Sequence, residues 1–162
     1  MNKPWQISKA TADDAAAILA VQYQAYRQEA ALYGEVTLPP QVETVDDYKT
    51  VLESHIVLRA IIDGIISGSV RGCEEGGTCY IGRLVVTPEH QGKGLGGALL
   101  AAIEQEFAHV RRFELFTGHK SLKNLGFYKR RGYIEFKRHH DSPEVTLIFL
   151  EKTNRLRPPA QH

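Results

Sequence analysis

The sequence predicts a mixed α/β fold, a mostly antiparallel sheet of about seven strands flanked by four helices. Three observations predict it. Two hairpin signals follow each other: Asp63-Gly64 joins two β-branched apolar runs in "HIVLRAIIDGIISGSVRG", and Gly76-Gly77 sits at the tip of "CEEGGTCYIGRLVV". After Val86 the apolar period changes to that of a helix, with Leu95, Ala98, Leu99, Ala102, Ile103 and Phe107 recurring at three and four residues. The next apolar run, "RRFELFTG", has no tight turn back from that helix, so a right-handed strand-helix-strand crossover is the economical connection.

The remaining elements fall around this centre. Trp5 to Ser8 reads as a short first strand. Thr11 with Asp14 forms a variant of the capping box, and Ala15, Ile18, Leu19, Gln22 and Tyr26 make a helical stripe behind it. Pro39 and Pro40 interrupt that pattern, and Thr44 with Asp47 restarts it for a shorter helix through Tyr48, Val51 and Leu52. Beyond the crossover, Ser121 to Arg131 reads as a helix stopped by Gly132, with Lys129, Arg130 and Arg131 favourable to its C-terminal dipole. "GYIEFKRHHDSPEVTLIFLEK" closes the domain as a hairpin turning at Asp141 to Pro143. Residues 1–153 are expected to form one domain, and 154–162 a flexible tail.

Composition narrows the function by exclusion. A formal net charge of +1 gives no electrostatic reason to expect a nucleic-acid or anionic membrane partner. The N-terminus lacks an apolar signal core and no run approaches a spanning helix, so the expected location is cytoplasmic. Cys73 and Cys79 form no metal-ligand or disulfide pattern, and the neighbours His139 and His140 point to opposite faces of a strand. No metal is expected.

The chemistry concentrates at "VVTPEHQGKGLGGALLAAIEQEF", where Gly92, Gly94, Gly96 and Gly97 crowd a strand-to-helix junction. Such a junction gathers free N–H groups at the positive end of a helix dipole, which favours an anion such as phosphate. Several phosphate-binding families share that physics. Lys93 lies on the wrong side of its glycine for a P-loop. Gly92, Gly94 and Gly97 satisfy a dinucleotide fingerprint literally, with Glu114 at ribose-binding distance, but the antiparallel strands before them do not belong to a Rossmann unit.

Gln91-Gly92-Lys93-Gly94-Leu95-Gly96, preceded by "LVVTPEH" and followed by "ALL", resembles the Q/R-x-x-G-x-G/A coenzyme A motif of the GNAT superfamily of N-acetyltransferases. A second segment, "SLKNLGFYKRRGY", is similar to the family's N-x-x-x-Y-x-x-x-G-F/Y, with Asn124, Tyr128, Gly132 and Tyr133 in register. The resemblance covers most of the chain and is strongest from Tyr80 to Tyr133. It implies a GNAT-like sheet whose central parallel strands splay apart, and a direct transfer of acetyl from acetyl-CoA to a primary amine.

The same resemblance assigns roles. N–H groups from Gln91 to Gly97, through Gly92, Lys93, Gly94, Leu95 and Gly96, would hold the pyrophosphate. Backbone groups of Leu84, Val85 and Val86 would pair with the pantetheine arm, and the Val86 N–H would polarise the thioester carbonyl. Tyr128 fills the general-acid position, Asn124 is a coenzyme contact, and Lys93 is the preferred partner of the 3′-phosphate. The usual base positions hold Tyr80 and Phe116, neither of which is a base at neutral pH. An ordered water, Glu29, Glu35, Glu114 or His119 remain as alternatives, and a non-catalytic acetyl-CoA-binding module is the second reading of the whole chain. Tyr26, Glu29, Tyr33 and Tyr80 are candidate acceptor contacts, Tyr23 being a further part of an aromatic and acidic wall suited to a cationic amine. The acceptor implied is a small-molecule or peptide amine, and the family often forms homodimers.

Overall fold

The computed structural model describes residues 4–34 and 36–155. Trp5–Lys9 (β1) leads through a single 3-10 turn, in which the Thr11 N–H donates to Asp14 Oδ2 at 2.8 Å, into Ala15–Ala31 (α1). The helix buries Ala15, Ile18, Leu19 and Gln22, the stripe its periodicity marks. Val45–Val51 (α2) begins with a reciprocal cap: Asp47 N–H donates to Thr44 Oγ1 at 3.1 Å, and Thr44 N–H to Asp47 Oδ2 at 2.9 Å.

Ile56–Ile62 (β2), Ile65–Glu75 (β3) and Thr78–Val86 (β4) form an antiparallel meander. Asp63 and Gly64 at the first turn have φ of 51° and 78°, the left-handed pair that matches the twist of a two-residue hairpin. Leu95–Glu106 (α3) then crosses to Arg112–Gly118 (β5), which runs parallel to β4. Leu122–Arg130 (α4), Ile134–His140 (β6) and Thr146–Thr153 (β7) complete the chain, and β7 inserts between β5 and β6. The sheet order is β1-β2-β3-β4-β5-β7-β6, with the β4–β5 pair parallel and every other pair antiparallel.

Helices cover both faces. The larger core joins the sheet to α3 and α4 through Leu95, Leu99, Ile103, Phe113, Leu115 and Leu150. The smaller lies on the opposite face, where Ile18, Leu19 and Tyr48 meet Val57. Asn154, at the start of the expected tail, is buried and ties the chain end down: its Nδ2 donates to Ala108 O at 2.9 Å and Val110 O at 2.7 Å. Residues 156–162 of that tail lie outside the described residues.

One irregularity positions the site. Opposite Ser69 and Arg71 of β3, the β4 register jumps from Val85 to Gly82, so β4 carries an extra residue there, and Arg83 has φ of 52°. An inserted residue shifts strand alternation by one and increases local twist. Before the bulge Cys79 and Ile81 pack into the core under α3; after it Leu84 and Val86 take that face. In an unbulged strand Arg83 would share parity with Cys79 and Ile81 and enter that apolar core.

Candidate active site

The pairing of β4 with β5 is short. It runs from Thr78↔Arg112 to Tyr80↔Glu114, after which β4 stays with β3 and β5 continues with β7. Among the described residues a wedge therefore opens between Ile81–Val86 and Leu115–Gly118, immediately after the last paired rung.

The β4 edge of this wedge offers backbone. Thr87 N–H donates to Ser67 O at 2.9 Å, and the alternation of an antiparallel ladder turns the N–H and C=O of Val86 the other way, toward β5. Gln91 Nε2 occupies the Val86 carbonyl at 3.0 Å, so the loop that follows is tied to the strand end. Val85 is buried, while Leu84 and Val86 are partly buried against the core.

The glycine junction follows. Gly92 and Gly94 have φ of 76° and 92°, and Gly94 is the residue from which α3 starts. A side chain at either position would be strained by its backbone alone. Gly96 and Gly97 already belong to α3 and have no such requirement; a Cβ on Gly97 would come within 2.7 Å of the Arg131 guanidinium. Arg131 itself stacks on Phe127 at 3.7 Å, and Lys93 lines a shallow groove with Trp5, Ile62 and His90. Among the described residues two buried side-chain atoms make no hydrogen bond, Arg83 Nε and Thr87 Oγ1, and they bracket Leu84–Val86. The outward-turned Val86 backbone and the glycine junction fit an extended ligand that carries polar groups along β4 and an anion at the start of α3.

Across the wedge stands α4. Tyr128 is buried and packs edge-on against Phe127 and Tyr133. Burial pushes its phenol pKa up, and the nearby Tyr26 and Glu29 push it the same way. Tyr133 donates to the buried carboxylate of Glu104 at 2.7 Å, so this second tyrosine of the motif anchors the start of β6 to α3, while Lys152 of β7 binds the same carboxylate at 2.9 Å.

The C-terminal half of α1 reaches into the same place from the other face of the sheet. Glu29 Oε1 accepts Ser121 Oγ at 3.0 Å and Asn124 Nδ2 at 3.3 Å, bridging to the start of α4. Both donors take the same oxygen, and among the described residues Oε2 accepts none. Burial raises the Glu29 pKa above the ordinary carboxylate value, with the Ser121 hydroxyl opposing it. Tyr26, one turn before, lies between Glu29 and Arg83; burial raises its pKa, against the lowering effect of Arg83. Gln28 Oε1 accepts from Gln91 Nε2 at 3.2 Å, joining α1 to the glycine loop.

Other residues singled out by the sequence are placed differently. Tyr33 is buried, accepts the Lys120 N–H at 3.1 Å and lies beneath Gly118, where a Cβ would meet its hydroxyl at 1.9 Å. Tyr23 donates to the Glu43 backbone carbonyl. Glu114 Oε1 accepts from Arg112 at 3.0 Å, and Arg112 also pairs with Glu151. His119 Nδ1 lies 3.0 Å from the Thr146 N and 3.2 Å from the Thr146 O, so the ring is a clamp between the end of β5 and the start of β7. Tyr80 is 38% and Phe116 51% exposed. Glu35 lies outside the described residues.

Two functional candidates were not singled out from sequence. Glu43 is buried, gripped by Arg71 at 2.9 and 3.0 Å and by Gln22 at 3.2 Å, and Arg83 lies 3.8 Å from it. The signal for Arg83 is local: an arginine inside "CYIGRLVV", at the place where apolar parity changes from Cys79 and Ile81 to Leu84 and Val86.

This arrangement is that of an acetyltransferase fold, and the chain belongs to the acetyltransferase (GNAT) family, whose model matches residues 22–133. The ribosomal-protein-S18-alanine N-acetyltransferase of Escherichia coli superposes with a TM-score of 0.79 at 14% identity, covering 98% of this chain and 99% of that one. The PaiA N-acetyltransferase of Thermoplasma acidophilum, solved with coenzyme A, gives 0.75 at 16%, covering 93% and 99%. yncA of Salmonella typhimurium, solved with acetyl-CoA, gives 0.73 at 20%, covering 99% and 98%. Comparison with curated proteins gives no significant match. Among the described residues no helix is long and apolar enough to cross a membrane, and no group of three His, Cys, Asp or Glu could hold a metal ion.

Proposed function

We infer that this protein transfers the acetyl group of acetyl-CoA to a primary amine. The observation that carries the reading is the wedge between β4 and β5, with Val86 at its edge and left-handed glycines at its mouth; the buried Tyr128 of α4, close enough to Tyr26 and Glu29 to feel their charge, supports it. Structural neighbours solved with coenzyme A and acetyl-CoA support that ligand, and the family supports acyl transfer.

In this reading Leu84, Val85 and Val86 hold the pantetheine arm, and the loop from Gln91 to Gly97 holds the pyrophosphate. Acetyl-CoA supplies an activated thioester. The Val86 N–H, aimed by strand alternation, donates to the carbonyl oxygen as negative charge develops there. Glu29 Oε2 takes a proton from the acceptor ammonium, a group with an ordinary pKa near 10.4 that cannot attack while protonated. Anchoring through Oε1 leaves Oε2 to do this. Tyr128 stays protonated throughout the neutral range because burial disfavours its phenolate, so it can lend the departing sulfur a hydrogen bond or a proton.

The balance is simple. The amine nitrogen bonds to the acetyl carbon as the carbon–sulfur bond breaks. Of the two protons the nitrogen loses, one reaches solvent through Glu29 and the other replaces the one Tyr128 gives to sulfur.

Purified protein mixed with acetyl-CoA and a panel of amines, read by release of free thiol, tests this function. Amine-dependent release is the expected result. Coenzyme binding without release for any amine would favour the alternative of a non-catalytic binding module.

A further inference from the structure

We propose that the acceptor carries a carboxylate as well as its amine, in the manner of an amino acid, and that Arg83 is the residue that selects it. This rests on the transfer reaction above and names the substrate class of the same site.

Arg83 sits at the β4 bulge with φ of 52°, a conformation uncommon for any residue with a side chain. Strain of this kind persists only where the surroundings enforce it, and it collects at functional sites. Here it serves to aim a guanidinium away from the apolar core under α3 and toward α1.

The guanidinium is incompletely matched there. Its nearest carboxylate, Glu43, is 3.8 Å away and already accepts two hydrogen bonds from Arg71 and one from Gln22. Two guanidiniums thus share one carboxylate, and one positive charge of the cluster has no acidic partner of its own. Arg83 Nε is buried without a hydrogen bond. A buried guanidinium is costly unless its donors are satisfied, and its fork suits a carboxylate. The other neighbour of Arg83 is Tyr26, whose ring lies 6.0 Å from the guanidinium carbon and whose hydroxyl bonds it, a neutral partner that leaves the positive charge unmatched.

That neighbour connects Arg83 to the reacting groups. Tyr26 interacts electrostatically with Arg83 on one side and Glu29 on the other, and both Tyr26 and Glu29 act on Tyr128. The geometry gives the same sequence of groups: the Arg83 cation lies 6.0 Å from the Tyr26 ring, and Glu29 stands about one helical turn beyond Tyr26 on α1. A zwitterionic acceptor meets this order directly: its carboxylate lies on Arg83 and its ammonium on Glu29. A polyamine would bring further positive charge against Arg83 and Arg71, so it is disfavoured by the same geometry.

The test compares α-, β- and ω-amino acids with their own amides, which keep the amine and lose the negative charge. An α-amino amide has the lower amine pKa, so at neutral pH it holds more free base, and without carboxylate recognition it would be the faster substrate. The wild-type enzyme is expected to favour at least one amino acid over its amide by roughly 100-fold in kcat/KM, as sites built to bond a polar group discriminate strongly. Arg83→Gln should reduce that ratio to below about tenfold without changing the KM for acetyl-CoA, and Arg83→Lys should restore part of it. With coenzyme A saturating, the same amino acid should raise the melting temperature of the wild type and its amide should not.

Amides or polyamines acetylated as well as the amino acids would overturn the proposal while leaving the transferase reading intact. Thiol release with no amine at all would overturn both. The wild-type comparison decides even if the Arg83 variants fail to fold.

Discussion

The side of the cleft proposed for the coenzyme and the side proposed for the acceptor differ in the material that forms them. On the coenzyme side the groups that face the wedge are main-chain: the Val86 N–H and the N–H groups around Gly92 and Gly94, held by a strand ladder and a helix start. On the proposed acceptor side they are side chains from distant segments: Tyr26 and Glu29 of α1 and Arg83 of the β4 bulge, with Ser121 and Asn124, the latter expected from sequence as a coenzyme contact, holding Glu29 from the start of α4. A main-chain site can bind one conserved chemical group whatever side chains surround it. A side-chain site can be rewritten residue by residue, which is where a preference among acceptors has to reside.

The comparison is broken most forcefully at Tyr128, to which the proposed mechanism gives a part on both sides. Tyr128→Phe should lower kcat by roughly 100-fold or more, the usual worth of a general acid, with the coenzyme dissociation constant unchanged. An unchanged kcat would remove Tyr128 from the reaction.

Glu29→Gln is expected to lower kcat/KM by about tenfold to 100-fold. Glutamine keeps an oxygen for Ser121 and Asn124, so the melting temperature should hold. The pH profile sharpens the point. Glu29 works ionised, and burial puts its pKa above 4.5, so wild-type activity should fall as pH drops through a value above that figure. The limb should vanish in the variant; Tyr26, Tyr33 and Tyr128, the titratable neighbours of Glu29, stay neutral over this range because their pKa values are raised.

Gly118→Ala probes the floor of the acceptor side. Its new methyl would overlap the Tyr33 hydroxyl, and overpacking of this kind costs about 1–3 kcal/mol. Chemical denaturation should record that loss, and Tyr33→Phe in the same chain should recover part of it. Gly94→Ala should cost about 1–2 kcal/mol through its left-handed backbone and weaken coenzyme binding more than acceptor binding. Equal weakening of both would blur the division between the two sides.

The same division explains what could be read in advance. Hairpins at Asp63-Gly64 and Gly76-Gly77, the period change after Val86 and the cap at Thr44 are local patterns, and the structure has each where the sequence puts it. The glycine motif is local too. The acceptor side depends on contacts that span the chain: Glu29 meets Asn124 at a separation of 95 residues, and Tyr33 meets Lys120 at 87. Sequence could offer Glu29, Glu114 and His119 only as equivalents. The fold gives each a different partner: Glu114 is held by Arg112, His119 by Thr146, and Glu29 by Ser121 and Asn124 through one oxygen. The β4 bulge was readable only as a change of parity around Arg83, and its consequence, an arginine delivered beside Tyr26, needed the fold.

The central claim is that the wedge and its glycine mouth take coenzyme A. Melting curves of the purified protein with acetyl-CoA, coenzyme A, NADP and ATP in parallel test it most directly, since a ligand at 100 times its dissociation constant adds about 2.7 kcal/mol of stability. The account predicts a rise in melting temperature with the two coenzyme A species and none with NADP or ATP. A rise with NADP or ATP alone, or none with acetyl-CoA, would contradict it.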